Sequence, residues 1–148
     1  MTLRELAQAY SDKHHANIPA HCRPIKKLSD ASANELTKSI LVYSKLKGFF
    51  AERQSSEGRY RPGEEITDVI GRKVQMKGTW LPGQGKGKAD IKAVIKGRAI
   101  EIEVKHGKDR LREDQVKYKQ QIEASGGVYL VVKTWDDFIF QINKYVCE

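Results

Sequence analysis

Cysteine is scarce in this chain, and the shortage excludes a class of protein. The 148 residues hold two cysteines, Cys22 and Cys147, too few for a disulfide framework. Both are expected as reduced thiols. Long apolar runs are also missing. None approaches the roughly 18 residues that a membrane-crossing helix requires. The opening "MTLRELAQAYSDKHH" has no apolar signal core, so a cytoplasmic protein without membrane contact is expected. Internal repeats and low-complexity tracts are absent. His14, His15, His21 and Cys22 invite a zinc reading, but their spacing fits no standard finger. "LPGQGKGK", residues 81–88, lacks the GxxxxGK[ST] pattern and precedes a strand, so it reads as a flexible basic lip rather than a phosphate loop. Trp80 beside it can stack on a base or simply pack the domain.

Negative charge is in deficit. The formal net charge is +8, with 39% hydrophobic and 31% charged residues. That composition suits a polar globular domain. A basic excess favours anionic partners, nucleic acid first. Between Gln84 and Lys119, eleven Lys or Arg stand against six Asp or Glu.

The pattern of apolar residues predicts an α/β domain: helix, strand, hairpin, helix, strand, helix. Thr2 and Glu5 form a capping-box pattern for a helix over 2–10. Residues 11–31, with Pro19 and Pro24, read as a linker or an irregular wrap. Leu36, Ile40 and Tyr43 set a helix over 35–47, closed by Gly48. "FFAERQ" can be a strand, with a further strand within "RKVQMKGTW". A hairpin follows over 89–96 and 98–105, turning at Lys96-Gly97. A helix over 111–125 ends at Gly126-Gly127. "VYLVV", residues 128–132, is a strand of the kind buried on both faces. Thr134 caps a last helix bearing Phe138, Ile139, Ile142 and Val146. The chain divides into an N-terminal helix with an irregular extension, 1–31, and a main domain, 32–148.

The hairpin holds the informative anomaly. A two-residue turn at Lys96-Gly97 pairs Ile95 with Arg98, Ile91 with Ile102 and Ala93 with Ile100, giving one apolar face. On the other face Lys92 meets Glu101, and Asp90 meets Glu103. Like charges across a ladder destabilise it, with Cβ atoms only ~5 Å apart. The two carboxylates make sense with Mg²⁺ (or Mn²⁺) between them. Mg²⁺ takes hard oxygen ligands and keeps several waters. The Val104 carbonyl can add a ligand. Lys105 projects from the face of Glu103, where its ammonium can orient an attacking water or stabilise phosphate charge. A solvated strand face with mutually neutralised charges is the plainer account. Lys86, Lys88, Lys108, Arg110 and Arg112 are candidates to hold a DNA backbone. Leu111, Gln115, Tyr118 and Ile122 form a stripe in which Gln115 is a lone amide needing partners.

Asp90, "EVK" at 103–105, the following "DQ" helix and "GGVYLVV" resemble the PD-(D/E)xK nuclease superfamily. The run "GKADIKAVIKGRAIEIEVKHGKDRLREDQVKYKQQIEASGGVYLVV" is similar to its VRR-Nuc branch, the virus-type replication-repair nucleases, and to archaeal Holliday-junction resolvases. The resemblance covers about residues 32–134. Ala89 stands where the family often has proline. The resemblance implies a restriction-endonuclease-like core with a mixed sheet flanked by helices, and a metal-dependent DNA endonuclease. It implies that Asp90 and Glu103 bind metal and Lys105 is catalytic. Glu35, on the first core helix, is implied as a further metal-site acid, and Gln115 as a residue shaping the site. Ser32-Ala33-Asn34-Glu35 is also a capping box, so Glu35 can serve the helix instead. A homodimer is expected if the substrate is a junction cut symmetrically. A noncatalytic nucleic-acid-binding module that retains the fold is the alternative, and a structural or partner-binding protein is a third.

Overall fold

A computed structural model describes residues 1–54, 58–67, 69–81, 83, 85 and 87–146, with the Arg59 side chain excepted. The elements in chain order are α1 (Leu3–His14), a short 3-10 turn at Ala20–Cys22, α2 (Ala33–Lys47), β1 (Phe50–Arg53), β2 (Arg59–Arg61), β3 (Glu65–Thr67), β4 (Lys73–Gln75) and β5 (Thr79–Leu81). There follow β6 (Ile91–Ile95), β7 (Arg98–Val104), α3 (Glu113–Ala124), β8 (Val128–Val132) and α4 (Trp135–Val146). The main sheet is mixed, in the order β1-β6-β7-β8. The first three strands are antiparallel, and β8 runs parallel to β7. This is the expected α/β class.

The hairpin register is the expected one. Ile91 pairs with Ile102, Lys92 with Glu101, Ala93 with Ile100 and Ile95 with Arg98. The turn needs positive φ at both central residues, and Lys96 (47°) and Gly97 (79°) provide it. β6 and β7 alternate so that Ile91, Ala93, Ile95, Ile100, Ile102 and Val104 face one way. They pack with Leu36, Ile40 and Tyr43 of α2 and with Trp135, Phe138 and Ile142 of α4. Tyr43 meets Trp135 and Phe138 edge-on at 5.9 and 5.4 Å, the favoured aromatic geometry.

Several boundaries differ from the expectation. α1 runs on to His14, four residues beyond the predicted end. Its capping box is present, and Leu6 is fully buried in the main core. Residues 11–31 wrap the domain rather than link it. Ser11 Oγ donates to Pro24 O, Ser39 Oγ to Ser29 O, and Asp30 accepts from the Trp135 amide at the start of α4. Thr134 Oγ1 caps α4 through the Asp137 amide, as predicted. Cys22 is a free, exposed thiol, and Cys147 lies outside the described residues. No helix among the described residues is long and apolar enough to cross a membrane.

The candidate carboxylate and lysine site

The second face of the main sheet carries the chemistry. Alternation along β7 points Glu101, Glu103 and Lys105 away from the apolar core, and α3 lies over them. All three are buried, at 4%, 2% and 5% exposure. Charged side chains are almost never so covered unless paired. Here the pairing is dense. Lys105 Nζ lies 2.9 Å from Glu103 Oε1 and donates to Gln115 Oε1 at 2.9 Å. Gln115 Nε2 donates to Glu103 Oε1 at 2.5 Å. Gln115 Oε1 also accepts the Arg112 amide at 3.0 Å, which ties the side chain to the start of its own helix. Asp109 Oδ2 stands 3.4 Å from Lys105 Nζ.

Asp90 sits one residue before β6, with its backbone oxygen held by the Gln54 amide at 2.8 Å. Its Oδ2 accepts the Val104 amide at 2.9 Å, so the carboxylate reaches across to β7. The Val104 side chain itself belongs to the apolar core. Burial is the main cause that raises the Glu103 pKa above the usual carboxylate value. The Lys105 hydrogen bond opposes it, and the Asp90 charge adds to it. Glu103 Oε2 is buried and has no hydrogen-bond partner. A buried carboxylate oxygen left bare beside a second carboxylate is the kind of donor set that a hard divalent cation satisfies.

The other predicted residues divide. Gln115 meets Glu103 and Lys105, as its place in the α3 stripe suggested. Glu35 is held elsewhere: its carboxylate accepts from Ser29 Oγ at 3.1 Å, and its amide donates to Ser32 Oγ at 3.3 Å. The Ser32 hydroxyl caps α2, but the Glu35 carboxylate does not return to the Ser32 amide as a capping box requires; Ser29 holds it instead, so it fills neither of its two expected roles here. Among the described residues, no group of three or more His, Cys, Asp or Glu could hold a metal ion. That covers both Glu35 with the hairpin acids and the histidines near Cys22. His14 instead stacks on Tyr10 at 3.9 Å. Lys108, Arg110 and Arg112 are exposed on the segment between β7 and α3, and Lys88 is half-buried. Lys88 is close enough to Glu101 to favour its charged form. Lys86 lies outside the described residues. Gly87, at φ +81°, abuts the Asp114 backbone so closely that a Cβ there would collide, so this residue of the lip lies against the start of α3.

Four participants carried no signal as site residues. Gln54 extends β1 into the row of Asp90, and its Oε1 is buried without a partner. Seeing it requires knowing that β1 pairs with β6. Glu101, paired with Lys92 as expected, adjoins Tyr129 on β8 and is hydrogen-bonded by Tyr118. Desolvation raises its pKa first, and Tyr118 works against that rise. Tyr129 is raised far above the ordinary phenol value, by burial and then by the charges of Glu103, Asp90 and Glu101. Tyr118 and Tyr129 meet edge-on at 6.2 Å. Tyr118 was legible only as part of the α3 stripe, and Tyr129 only as a buried strand residue. The result is a charged seam between sheet and helix: an acid pair at one end, a lysine fixed beside it, and two tyrosines behind. No model of a known protein family matches the chain, and no curated protein sequence does.

Proposed function

We propose that the chain is a metal-dependent DNA endonuclease of the PD-(D/E)xK type, with a restriction-endonuclease-like core and motifs similar to those of the VRR-Nuc branch. The observation that carries this reading is the meeting of Asp90, Glu103, Lys105 and Gln115 at one end of β6 and β7. Asp90 and Glu103 would hold Mg²⁺ or Mn²⁺, with the Val104 carbonyl as an added oxygen. Waters and substrate oxygens would supply its other ligands, as Mg²⁺ commonly requires. When bound, the ion supplies Lewis acidity and a water of lowered pKa. Lys105 is held by Gln115 and Glu103 so that its ammonium can orient the attacking water or stabilise charge on the phosphate. Gln115 is a positioning residue that keeps the lysine and the glutamate in register. Glu35 would join only by leaving its contact with Ser29. Lys88, Lys108, Arg110 and Arg112, with Lys86, neutralise the DNA backbone. Junction or flap DNA suits the resemblance, and symmetric cutting would call for a homodimer.

One observation favours the second reading, a noncatalytic DNA-binding module. Lys105 already neutralises Glu103, and no third acid completes a metal group among the described residues. Purified protein incubated with plasmid and a panel of labelled DNA structures, in Mg²⁺, in Mn²⁺ and in EDTA, separates the two. Metal-dependent cleavage that Asp90→Asn abolishes supports the nuclease. Tight DNA binding without cleavage in either metal supports the module.

A further inference from the structure

Two short ribbons lie outside the main sheet, β2 with β5 and β3 with β4. They are one arm. Tyr60 faces Trp80, and Ile66 faces Val74. Between them the Met76 amide donates to Glu64 O at 3.0 Å and joins the two ribbons. Side chains alternate along such a ribbon. Tyr60 and Trp80 therefore share one face of the β2–β5 ribbon, and Ile66 and Val74 share one face of the β3–β4 ribbon. All are exposed, Trp80 at 64% and Tyr60 at 60%. Arg61 and Lys73 are exposed on the same ribbons, in ion pairs with Glu64 at 3.3 Å and Glu65 at 2.9 Å.

The aromatic pair is laid out as a platform. A Cβ on Gly78 would run into the Tyr60 phenol, and one on Gly58 into the Trp80 indole. Each ring thus rests on bare glycine backbone and leaves its far side to solvent. Along the chain, β2 begins five residues after Gln54 and β5 ends nine residues before Asp90, and the Gln54 amide donates to Asp90 O at 2.8 Å. The platform is therefore tethered through short segments of chain to the acid end of the candidate site, in a chain of net charge +8.

We infer that this arm grips unpaired nucleotides, with Tyr60 and Trp80 stacking on bases next to the candidate site. The inference rests on the nuclease reading and names its substrate class: DNA carrying single-stranded nucleotides, such as a flap or an open branch. Rings can stack only on a base whose π-face is free, and in a regular duplex both faces are covered by neighbours. Cations along the arm and near the site serve the backbone of the same strand.

Trp80 can report on this directly. The chain has two tryptophans, and Trp135 is only 3% exposed. The full chain, in EDTA so that nothing is cut, is titrated with a dT oligonucleotide and with a blunt duplex of equal length. Expected are quenching of Trp80 emission and loss of acrylamide access with dT, both weaker with duplex. Trp80→Ala should weaken dT binding about 5- to 150-fold, the range for losing one base–aromatic stack. Tyr60→Ala should act in the same direction while Trp80 still reports. Both positions are exposed, and an unchanged thermal melt verifies folding. The inference is overturned if dT binds with Trp80 emission and access unchanged, or if both variants keep wild-type affinity. It is also overturned if Trp80 becomes protected without oligonucleotide as protein concentration rises, which assigns the face to a second copy. Absence of all DNA binding overturns both readings. Quenching by dT without cleavage in Mg²⁺ supports the arm and overturns the nuclease alone.

Discussion

Strand β7 is covered on both sides, and its two faces are unlike. Ile100, Ile102 and Val104 meet α2 and α4 in a dry core. Glu101, Glu103 and Lys105, from the intervening positions, meet α3 through charge and hydrogen bonds. Apolar burial is favourable by about 25 cal/mol per Å². Burying ions has the opposite sign until partners offset it, and even a paired set is often no better than an apolar replacement. The first face therefore explains why the domain folds. The second is hard to explain by folding, since two of its buried carboxylate oxygens, on Glu101 and Glu103, have no hydrogen-bond partner. A face that costs stability and persists in the fold points to a use other than stability.

The sharpest way to break this comparison is Lys105→Ala. It leaves Glu103 buried without its cation, and removing one member of a buried pair costs about 3–5 kcal/mol. Cleavage should vanish, while DNA affinity in EDTA falls only modestly because other cations remain. Adding Glu103→Gln should restore much of the stability and none of the cleavage. Urea denaturation, DNA digestion and gel shift of the single and double variants measure all three. A Lys105→Ala protein that cleaves at the wild-type rate removes the lysine from the chemistry.

On the apolar face the expectation is the reverse. Ile102→Ala should lose about 2–5 kcal/mol of stability by urea denaturation. At a temperature where it is still folded, its cleavage rate should stay within a few-fold of wild type. A loss of activity as complete as that of Lys105→Ala would mean that the two faces are not functionally separate.

Asp90→Asn is subtler and changes sign with conditions. Burial and the Asp90 charge hold the Glu103 pKa above its ordinary value. The folded state then binds more protons than the unfolded one between those two values, so stability falls as pH rises through that window. The variant removes one charge, and an amide oxygen can still accept the Val104 N–H. In EDTA at neutral pH it should be more stable than wild type by about 1 kcal/mol. The advantage should shrink in mild acid, as Glu103 takes up its proton. Saturating Mg²⁺ should reverse the order, because ligand binding stabilises only a protein that keeps both acids. Denaturation at two pH values, with and without metal, gives the four comparisons. A variant clearly less stable in EDTA would make Asp90 a structural residue.

The smallest effect on stability belongs to the surface. Lys88→Ala with Lys108→Ala should change unfolding free energy by less than about 0.5 kcal/mol. The slope of log affinity against log salt should flatten by roughly 0.9 for each phosphate that is no longer neutralised. An unchanged slope in a salt titration would move the DNA path away from the segment between β7 and α3.

The sequence by itself settled what depends on neighbours along the chain. Lys96-Gly97 admits the positive φ of a two-residue turn, and the alternating isoleucines tolerate only one register, since a slip of one residue would expose them. Those two facts alone bring Asp90, one residue beyond the paired strand, near enough to Glu103 for its charge to act there. The four-three-four spacing from Leu111, which proves to lie two residues before α3, to Ile122 likewise marked Gln115, because an amide in a largely apolar stripe needs partners. Tertiary structure decided the rest. Gln54 reaches the acid row only because β1 pairs with β6, a pairing of segments far apart in the chain with no local cue. Of the arm, only strand within "RKVQMKGTW" was expected, and it is present as β4 and the start of β5; the three-residue β2 and β3 that pair with them are too short for periodicity to declare. Glu35 took neither the capping-box role nor a place among the acids of the site, because Ser29, a side chain outside its helix, holds its carboxylate. Local pattern fixes which face a residue occupies. Which distant groups share that face depends on how the strands and helices pack, and the chemistry of the site is set there.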